Sequence, residues 1–139
     1  MSASAFALLG YITWTLALII TNEVLRSYMV MSGRKESSTF SPDGKDVSPF
    51  AHRLARAHAN CYESFPIIAG PLLLALVTGQ TSVTDSLALW VLAARVAQSG
   101  VHLVSAGNLA VNVRFTFFAA QLIIVTWWVV QFWLQWPLH

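Results

Sequence analysis

Four long apolar stretches separated by short polar segments dominate the pattern of this 139-residue chain. Each stretch has close to the roughly 20 apolar residues that an α-helix needs to cross a hydrocarbon layer of about 30 Å. We therefore predict an all-α integral membrane protein, with one four-helix transmembrane domain over residues 1–139 and a polar loop at about 32–49. The predicted helices cover about residues 3–28, 52–77, 86–104 and 111–134.

Composition supports a membrane protein, because 56% of the residues are hydrophobic and only 10% are charged, far from the average of soluble domains. Cys61 is the only cysteine, so an intrachain disulfide is excluded. The four histidines have no partners at the spacing of metal ligands, and we expect no metal site. No Ser-His-Asp or Cys-His arrangement points to a protein nucleophile.

The basic residues indicate how the chain is oriented in the membrane. By the tendency of positive loops to stay inside, the first and third connections are expected to be cytoplasmic, and both termini and residues 79–85 to lie outside. The net charge of +2 then reflects topology rather than a nucleic-acid partner. We expect a multi-pass protein of the plasma membrane if bacterial, or of the endoplasmic reticulum if eukaryotic. All eight Lys and Arg lie in or near those two connections: Arg26, Arg34, Lys35, Lys45, Arg53, Arg56, Arg95 and Arg114.

Two of the predicted helices carry polar side chains at offsets of 0, 3, 7 and 10 residues. At about 100° per residue this spacing keeps each set within about 80° of one helical face. Polar faces in a membrane helix normally turn toward protein or trapped water rather than lipid. The sets are Arg53, Arg56, Asn60 and Glu63 in the second helix, and Arg95, Gln98, His102 and Ser105 in the third.

Together with Arg114 in the fourth helix, these residues allow two interpretations. Arginine offers a planar fork of donors to carboxylates, and Glu63 can accept from an ammonium group, so the set could bind an anion with several polar groups. Alternatively, Glu63 neutralises Arg56 and the remaining side chains satisfy one another. Arg26 has the same ambiguity, because Glu23 lies three residues before it on the same helix.

The second-helix segment resembles a signature of the MAPEG family, the membrane-associated proteins in eicosanoid and glutathione metabolism. The segment reads Arg56-Ala-His-Ala-Asn60-Cys-Tyr-Glu63-Ser-Phe-Pro66. Further on, Ala94-Arg95-Val-Ala-Gln98-Ser99, and then Arg114 with Gln121, are similar to that family's third-helix and early fourth-helix motifs. The resemblance extends over most of the chain.

The resemblance implies a homotrimer that binds glutathione as a co-substrate between neighbouring subunits, near the cytoplasmic side. Arg56, Asn60 and Glu63 would hold the glutathione backbone, Arg95 would support the site, and Arg114 would stabilise the thiolate. A hydrophobic small molecule or lipid would arrive from the bilayer as the second substrate. The polar residues that remain are further candidates for contact with glutathione: Arg53, Gln98, His102 and Arg26.

Ser64 stands where some glutathione-conjugating members of the family have tyrosine, and His102 occupies a third-helix position that is often tyrosine. These differences favour a microbial type of glutathione transferase or peroxidase over an animal eicosanoid enzyme. A second hypothesis is a non-catalytic membrane protein of the same fold that binds lipid or a protein partner. A third, a small transporter or channel, is disfavoured because helix repeats are missing and the polar residues are confined to one membrane half.

Overall fold

A computed structural model describes residues 1–136 and shows four α-helices, with no β-strand in that part of the chain. All four are long and apolar enough to cross a membrane, which confirms the predicted all-α, multi-pass membrane fold. Each predicted range lies inside an observed helix. The helices are α1 (Ala3–Met31), α2 (Pro49–Val77), α3 (Asp85–Val104) and α4 (Asn108–Gln135), with a single 3-10 turn at Thr81–Val83 before α3.

The helix boundaries follow from local sequence signals. Ser48 caps α2 by accepting a hydrogen bond from the backbone N–H of Ala51 at 3.0 Å. Pro49 follows at the first helical position, where its missing N–H costs nothing. The helix then continues through Pro66 and Pro71, although each proline removes one backbone donor. The polar residues of α2 are therefore carried on one continuous helix.

Small residues bring the helices close together. α1 packs mainly against α2 and α3, and α4 packs mainly against α3. Gly10 shows how closely α1 and α3 approach, because a Cβ added there would lie 2.6 Å from Leu92 Cδ2. Ala57, Ala75 and Ala88 are almost completely buried. Such packing is the usual basis of helix association in lipid, where burial of apolar surface gives little driving force.

The bundle has two ends. We call the end that carries residues 32–48 and 105–107 the loop end, and the opposite end, where the chain starts, the terminal end. At the terminal end Asp85 joins α3 to α1, because its Oδ1 accepts hydrogen bonds from Ser4 N at 2.9 Å and from Ser4 Oγ at 2.6 Å. Ser4 Oγ lies 2.5 Å from Thr84 Oγ1. Ser4 and Thr84 are fully buried, so this contact fixes the start of α1.

We expect Asp85→Ala to lower the thermal stability of the purified protein, because it removes the acceptor of the Ser4 N–H and leaves Ser4 Oγ with Thr84 as its one remaining partner within residues 1–136. Hydrogen bonds to charged groups are worth about 1–3 kcal/mol each. Thermal unfolding in detergent, followed by circular dichroism, measures the loss. Ser86→Ala is the matched control, since Ser86 is the exposed neighbouring residue. Equal midpoints for the two variants would contradict a structural role for Asp85.

The connecting loop, residues 32–48, folds back over the loop end. Lys35 Nζ lies 2.8 Å from Asp46 Oδ2, which also accepts a hydrogen bond from Ser41 N at 2.9 Å. The Phe40 ring lies between two cations, 5.6 Å from Arg26 Cζ and 5.4 Å from Lys35 Nζ. The loop is thus tied both to itself and to α1.

Asp46 should make the order of the connecting loop depend on pH. The hydrogen bond from Lys35, followed by that from Ser41 N–H, holds the pKa of this carboxyl below its usual value of 3.8. A lowered pKa in the folded state stabilises the loop above the unfolded value, and this contribution is lost as the pH falls through the folded value. The protection of backbone amides over residues 35–46, corrected for the intrinsic pH dependence of hydrogen exchange, should therefore fall only below about pH 4.

Asp46→Asn should accelerate the same exchange already at neutral pH, since it removes the charge that Lys35 contacts. Glu36→Gln provides the control, because Glu36 is exposed and forms no salt bridge within residues 1–136. If Glu36→Gln loosened the loop as much as Asp46→Asn, the role of the Lys35–Asp46 pair would be refuted.

Candidate functional site

The polar side chains of α2, α3 and α4 fall into an inner group and an outer group. The inner group forms a hydrogen-bonded network inside the subunit. Arg95 Nη1 donates to Asn60 Oδ1 at 2.5 Å, and Gln98 Nε2 donates to the same oxygen at 3.0 Å. Gln121 Nε2 donates to Gln98 Oε1 at 2.9 Å. Because Arg95, Gln98 and Gln121 are buried, this network ties α2, α3 and α4 together.

Arg95 is only 1% exposed and forms no salt bridge within residues 1–136. Its guanidinium instead lies between two aromatic rings, 5.6 Å from the centroids of Tyr11 and of Phe118. The face of an aromatic ring attracts a cation, and more strongly where water is excluded. The rings and the Asn60 oxygen are therefore what stabilise this buried charge. Such burial leaves Arg95 and Gln98 suited to positioning Asn60 rather than to contacting a ligand.

Tyr11 is a residue of this network that the polar spacing does not identify. Its hydroxyl donates to the backbone oxygen of Cys61 at 2.6 Å and lies 3.0 Å from Ser64 Oγ. Tyr11 thereby joins α1 to α2, and the face of its ring contacts the Arg95 guanidinium. A signal was present in the sequence, since a tyrosine buried in an apolar helix normally finds a partner for its hydroxyl.

The outer group consists of residues that face away from the core. Arg56 and Glu63 are both exposed on α2, and they do not form a salt bridge with each other. The interpretation that Glu63 neutralises Arg56 is therefore wrong for the subunit. Arg114 is half-buried on α4, where the positive charge of Arg56 acts on it. Both charges also act on the half-buried His102 of α3.

This outer group holds two arginines, Arg56 and Arg114, and one carboxylate, Glu63, but no carboxylate lies within salt-bridge distance of either arginine in residues 1–136. Arg114 Nε is moreover buried without a hydrogen-bond partner there. Two neighbouring guanidinium groups repel each other unless an anion lies near them. The arrangement is suited to binding a carboxylate or stabilising another anion.

The remaining predicted site residues have partners within the subunit. Arg53 Nε donates to the backbone oxygen of Leu103 at 2.8 Å, which links α2 to the end of α3. Arg26 Nη1 lies 3.7 Å from Glu23 Oε1, the pairing that the sequence allowed as an alternative to ligand contact. The structure therefore brings Arg56, Asn60 and Arg114 toward one region but gives Arg53 and Arg26 structural contacts.

A separate cavity of about 250 Å³ lies between α1, α2 and the connecting loop, and Arg56 does not line it. Its lining includes Asn22, His58 and Tyr62. Asn22 is only 6% exposed, and its side chain makes no hydrogen bond within residues 1–136. The lining offers an amide, an imidazole and a phenol as hydrogen-bonding groups, so this cavity is suited to a polar ligand.

Comparison with known proteins gives a match to one family. The model of the MAPEG family matches residues 4–133, which includes α1, α2, α3 and nearly all of α4. No curated protein and no solved structure matches the chain. Both the inner network and the outer charge group lie inside the matched range.

Proposed function

The chain belongs to the MAPEG family of membrane proteins in eicosanoid and glutathione metabolism, and we propose that it is a glutathione-dependent transferase or peroxidase. Its substrates would be lipophilic electrophiles or lipid hydroperoxides. The observation that carries this proposal is Arg114, whose Nε is buried without a hydrogen-bond partner and which, like Arg56, forms no salt bridge within residues 1–136. A ligand that is itself an anion would supply the missing charge.

Glutathione has groups that suit the outer residues. It carries two carboxylates, one ammonium group and a thiol. The planar guanidinium of Arg56 can bind a carboxylate through two parallel hydrogen bonds, and Glu63 can accept hydrogen bonds from the ammonium group. Asn60, held by Arg95 and Gln98 through its oxygen, keeps its amide N–H groups for the ligand. The inner network would thus orient one of the binding residues.

The exposure of Arg56 and Glu63 supports a site shared between subunits. Charged side chains in a membrane-spanning helix are costly to expose to lipid, and both residues face outward from α2. We therefore propose that a neighbouring copy covers them, as in the homotrimer implied by the family. The neighbour's cavity with Asn22 and His58 would provide the opposite wall. Arg26 also lines that cavity, but its Nη1 lies 3.7 Å from Glu23 Oε1 within its own subunit, so we assign it no contact with glutathione.

Arg114 is the proposed catalytic residue. A guanidinium beside a thiol favours the charged thiolate and so lowers a thiol pKa that is ordinarily about 8.5. In the transferase reaction the thiolate sulfur would form a bond to the electrophilic carbon, the leaving group would depart with its bonding electrons, and the thiol proton would go to water. In the peroxidase reaction two glutathione molecules would form a disulfide while the hydroperoxide becomes an alcohol and water.

Turnover measurements test this proposal. Protein purified in detergent should accelerate conjugation of glutathione to 1-chloro-2,4-dinitrobenzene, or reduction of cumene hydroperoxide by glutathione, and the comparison of the two rates assigns the chemistry. Heat-inactivated protein in the same detergent is the control. Rates equal to that control with both substrates, together with no glutathione binding, would reject the proposal. Glutathione binding without either reaction would instead favour a non-catalytic member of the fold.

A further inference from the structure

A groove at the loop end lies between the last turns of α1 and the connecting loop, on the other side of Arg26 from the α1–α2 cavity. Its volume is about 540 Å³. The lining combines charged, hydroxyl and apolar side chains, among them Glu23, Arg26, Ser37, Ser38 and Phe40. The groove shares Glu23, Arg26 and Phe40 with the cavity proposed as the opposite wall of the glutathione site, whereas Arg56, Asn60, Glu63 and Arg114 do not line it.

The groove continues into an apolar groove of about 640 Å³ along α1. The two share Glu23, Ser27 and Met31, and the second then runs past Ile19 and Val24 toward the middle of the helix. One end of this combined surface is polar and the other is apolar. A ligand that fills both has a charged head and a long hydrocarbon part.

The length of α1 places the polar end at the height of lipid headgroups. With 29 residues, α1 is about 44 Å long at 1.5 Å per residue, whereas the hydrocarbon layer is about 30 Å thick. We place the last turn of α1 in the headgroup region, because the polar connecting loop with Arg34, Lys35 and Lys45 follows it and charged side chains are costly in hydrocarbon. Met31 is 87% exposed in this turn, and Val24, nearer the middle of the helix, is also exposed on the surface of the subunit.

The charges at the polar end select the kind of headgroup. Arg26 and Glu23 are adjacent, with 3.7 Å between Nη1 and Oε1, and their side chains are 28% and 57% exposed. Lys35 and Lys45 are paired with Asp46 and Asp43 within the loop, and the side chains that line the polar groove include one cation, Arg26, and one anion, Glu23. One cation and one anion side by side complement a zwitterion rather than an anionic lipid.

We propose that this groove binds the headgroup of a phospholipid with a primary ammonium group, phosphatidylethanolamine, with an acyl chain along the apolar part of α1. Arg26, held against the Phe40 ring, would contact the phosphate together with the hydroxyls of Ser37 and Ser38. Glu23 would accept hydrogen bonds from the ammonium group. A quaternary ammonium has no N–H to donate, and the neutral glycerol of phosphatidylglycerol offers Glu23 hydroxyl donors without the positive charge that strengthens the hydrogen bond.

Lipid retention tests this site without glutathione, so its outcome is independent of the proposed activity. Purified protein in detergent is incubated with equal amounts of phosphatidylethanolamine, phosphatidylcholine and phosphatidylglycerol, and the lipids retained per chain are counted by native mass spectrometry. The wild type should retain phosphatidylethanolamine at least about fivefold over either competitor, the effect of one charge-assisted hydrogen bond at an exposed site.

Three variants make the result specific. Glu23→Gln should abolish the preference for phosphatidylethanolamine, and Ser37→Ala with Ser38→Ala should lower retention of that lipid. Glu36→Gln, an equal change of charge at an exposed loop residue outside the groove, should behave as wild type. The proposal is overturned if the wild type retains the three lipids equally, or if Glu36→Gln loses the preference as fully as Glu23→Gln.

Discussion

Replacing Arg114 with alanine should lower glutathione-dependent turnover by about 100-fold or more, the usual effect of removing a group that stabilises a developing or bound anion. Arg114 carries no salt bridge within residues 1–136, so the helices should stay folded without it. Turnover is measured at saturating glutathione. Because the thiol pKa would return toward about 8.5, the remaining activity should rise up to a higher pH than in the wild type.

Two controls separate catalysis from assembly. Arg114→Lys should restore part of the rate, since it keeps the charge but loses the planar fork. Arg34→Ala, at an exposed arginine of the connecting loop, should leave turnover unchanged. If Arg114→Ala kept full activity, or if it lost activity only because the subunits no longer assembled, Arg114 would have no role in stabilising the thiolate.

Asn60→Leu should be strongly destabilising, by about 3–5 kcal/mol. Asn60 Oδ1 is the acceptor that binds the buried Arg95, and removing one partner from a buried charge leaves that charge uncompensated. Unfolding by heat or by denaturing detergent, followed by circular dichroism, measures the change. This effect should exceed that of Asp85→Ala, because the charge left behind lies inside the bundle.

Two further variants of Asn60 and Arg95 separate the effect of the buried charge from the effect of packing. Asn60→Asp keeps the oxygen and adds a counter-charge, so stability should stay close to that of the wild type. In the double variant Asn60→Leu with Arg95→Leu the buried charge is gone, and much of the lost stability should return. If the double variant were as unstable as Asn60→Leu alone, the cost would lie in packing and not in the charge of Arg95.

The four spans were predictable because the length of an apolar run is nearly sufficient to define a transmembrane helix. The sequence did not predict which polar residues of α2 contact α3 and which face outward. On a helical wheel Arg53 and Asn60 lie about 20° apart, whereas Arg56 and Glu63 lie about 40–60° further round from Asn60. The seam between α2 and α3 falls between these pairs, so the first pair contacts α3 and the second faces outward.

The sequence also did not predict contacts between side chains that are distant along the chain. The Lys35–Asp46 pair lies in a loop, where no helical or strand period relates two positions. The rings that enclose Arg95 come from α1 and α4, so they depend on how three helices pack. The family signature in α2 identified Arg56, Asn60 and Glu63 as a group. Only the structure distinguishes Asn60, which Arg95 and Gln98 hold in place, from the exposed Arg56 and Glu63, which are free to bind a ligand.

Calorimetric titration of glutathione into the purified protein tests the central claim most directly. The wild type should show saturable binding, and Glu63→Gln should weaken it by about tenfold, the effect of losing one charge-assisted contact with the ammonium group. Glu36→Gln should bind as the wild type does. An absence of saturable binding to the wild type, or equal affinities for the wild type and Glu63→Gln, would contradict the proposed glutathione site.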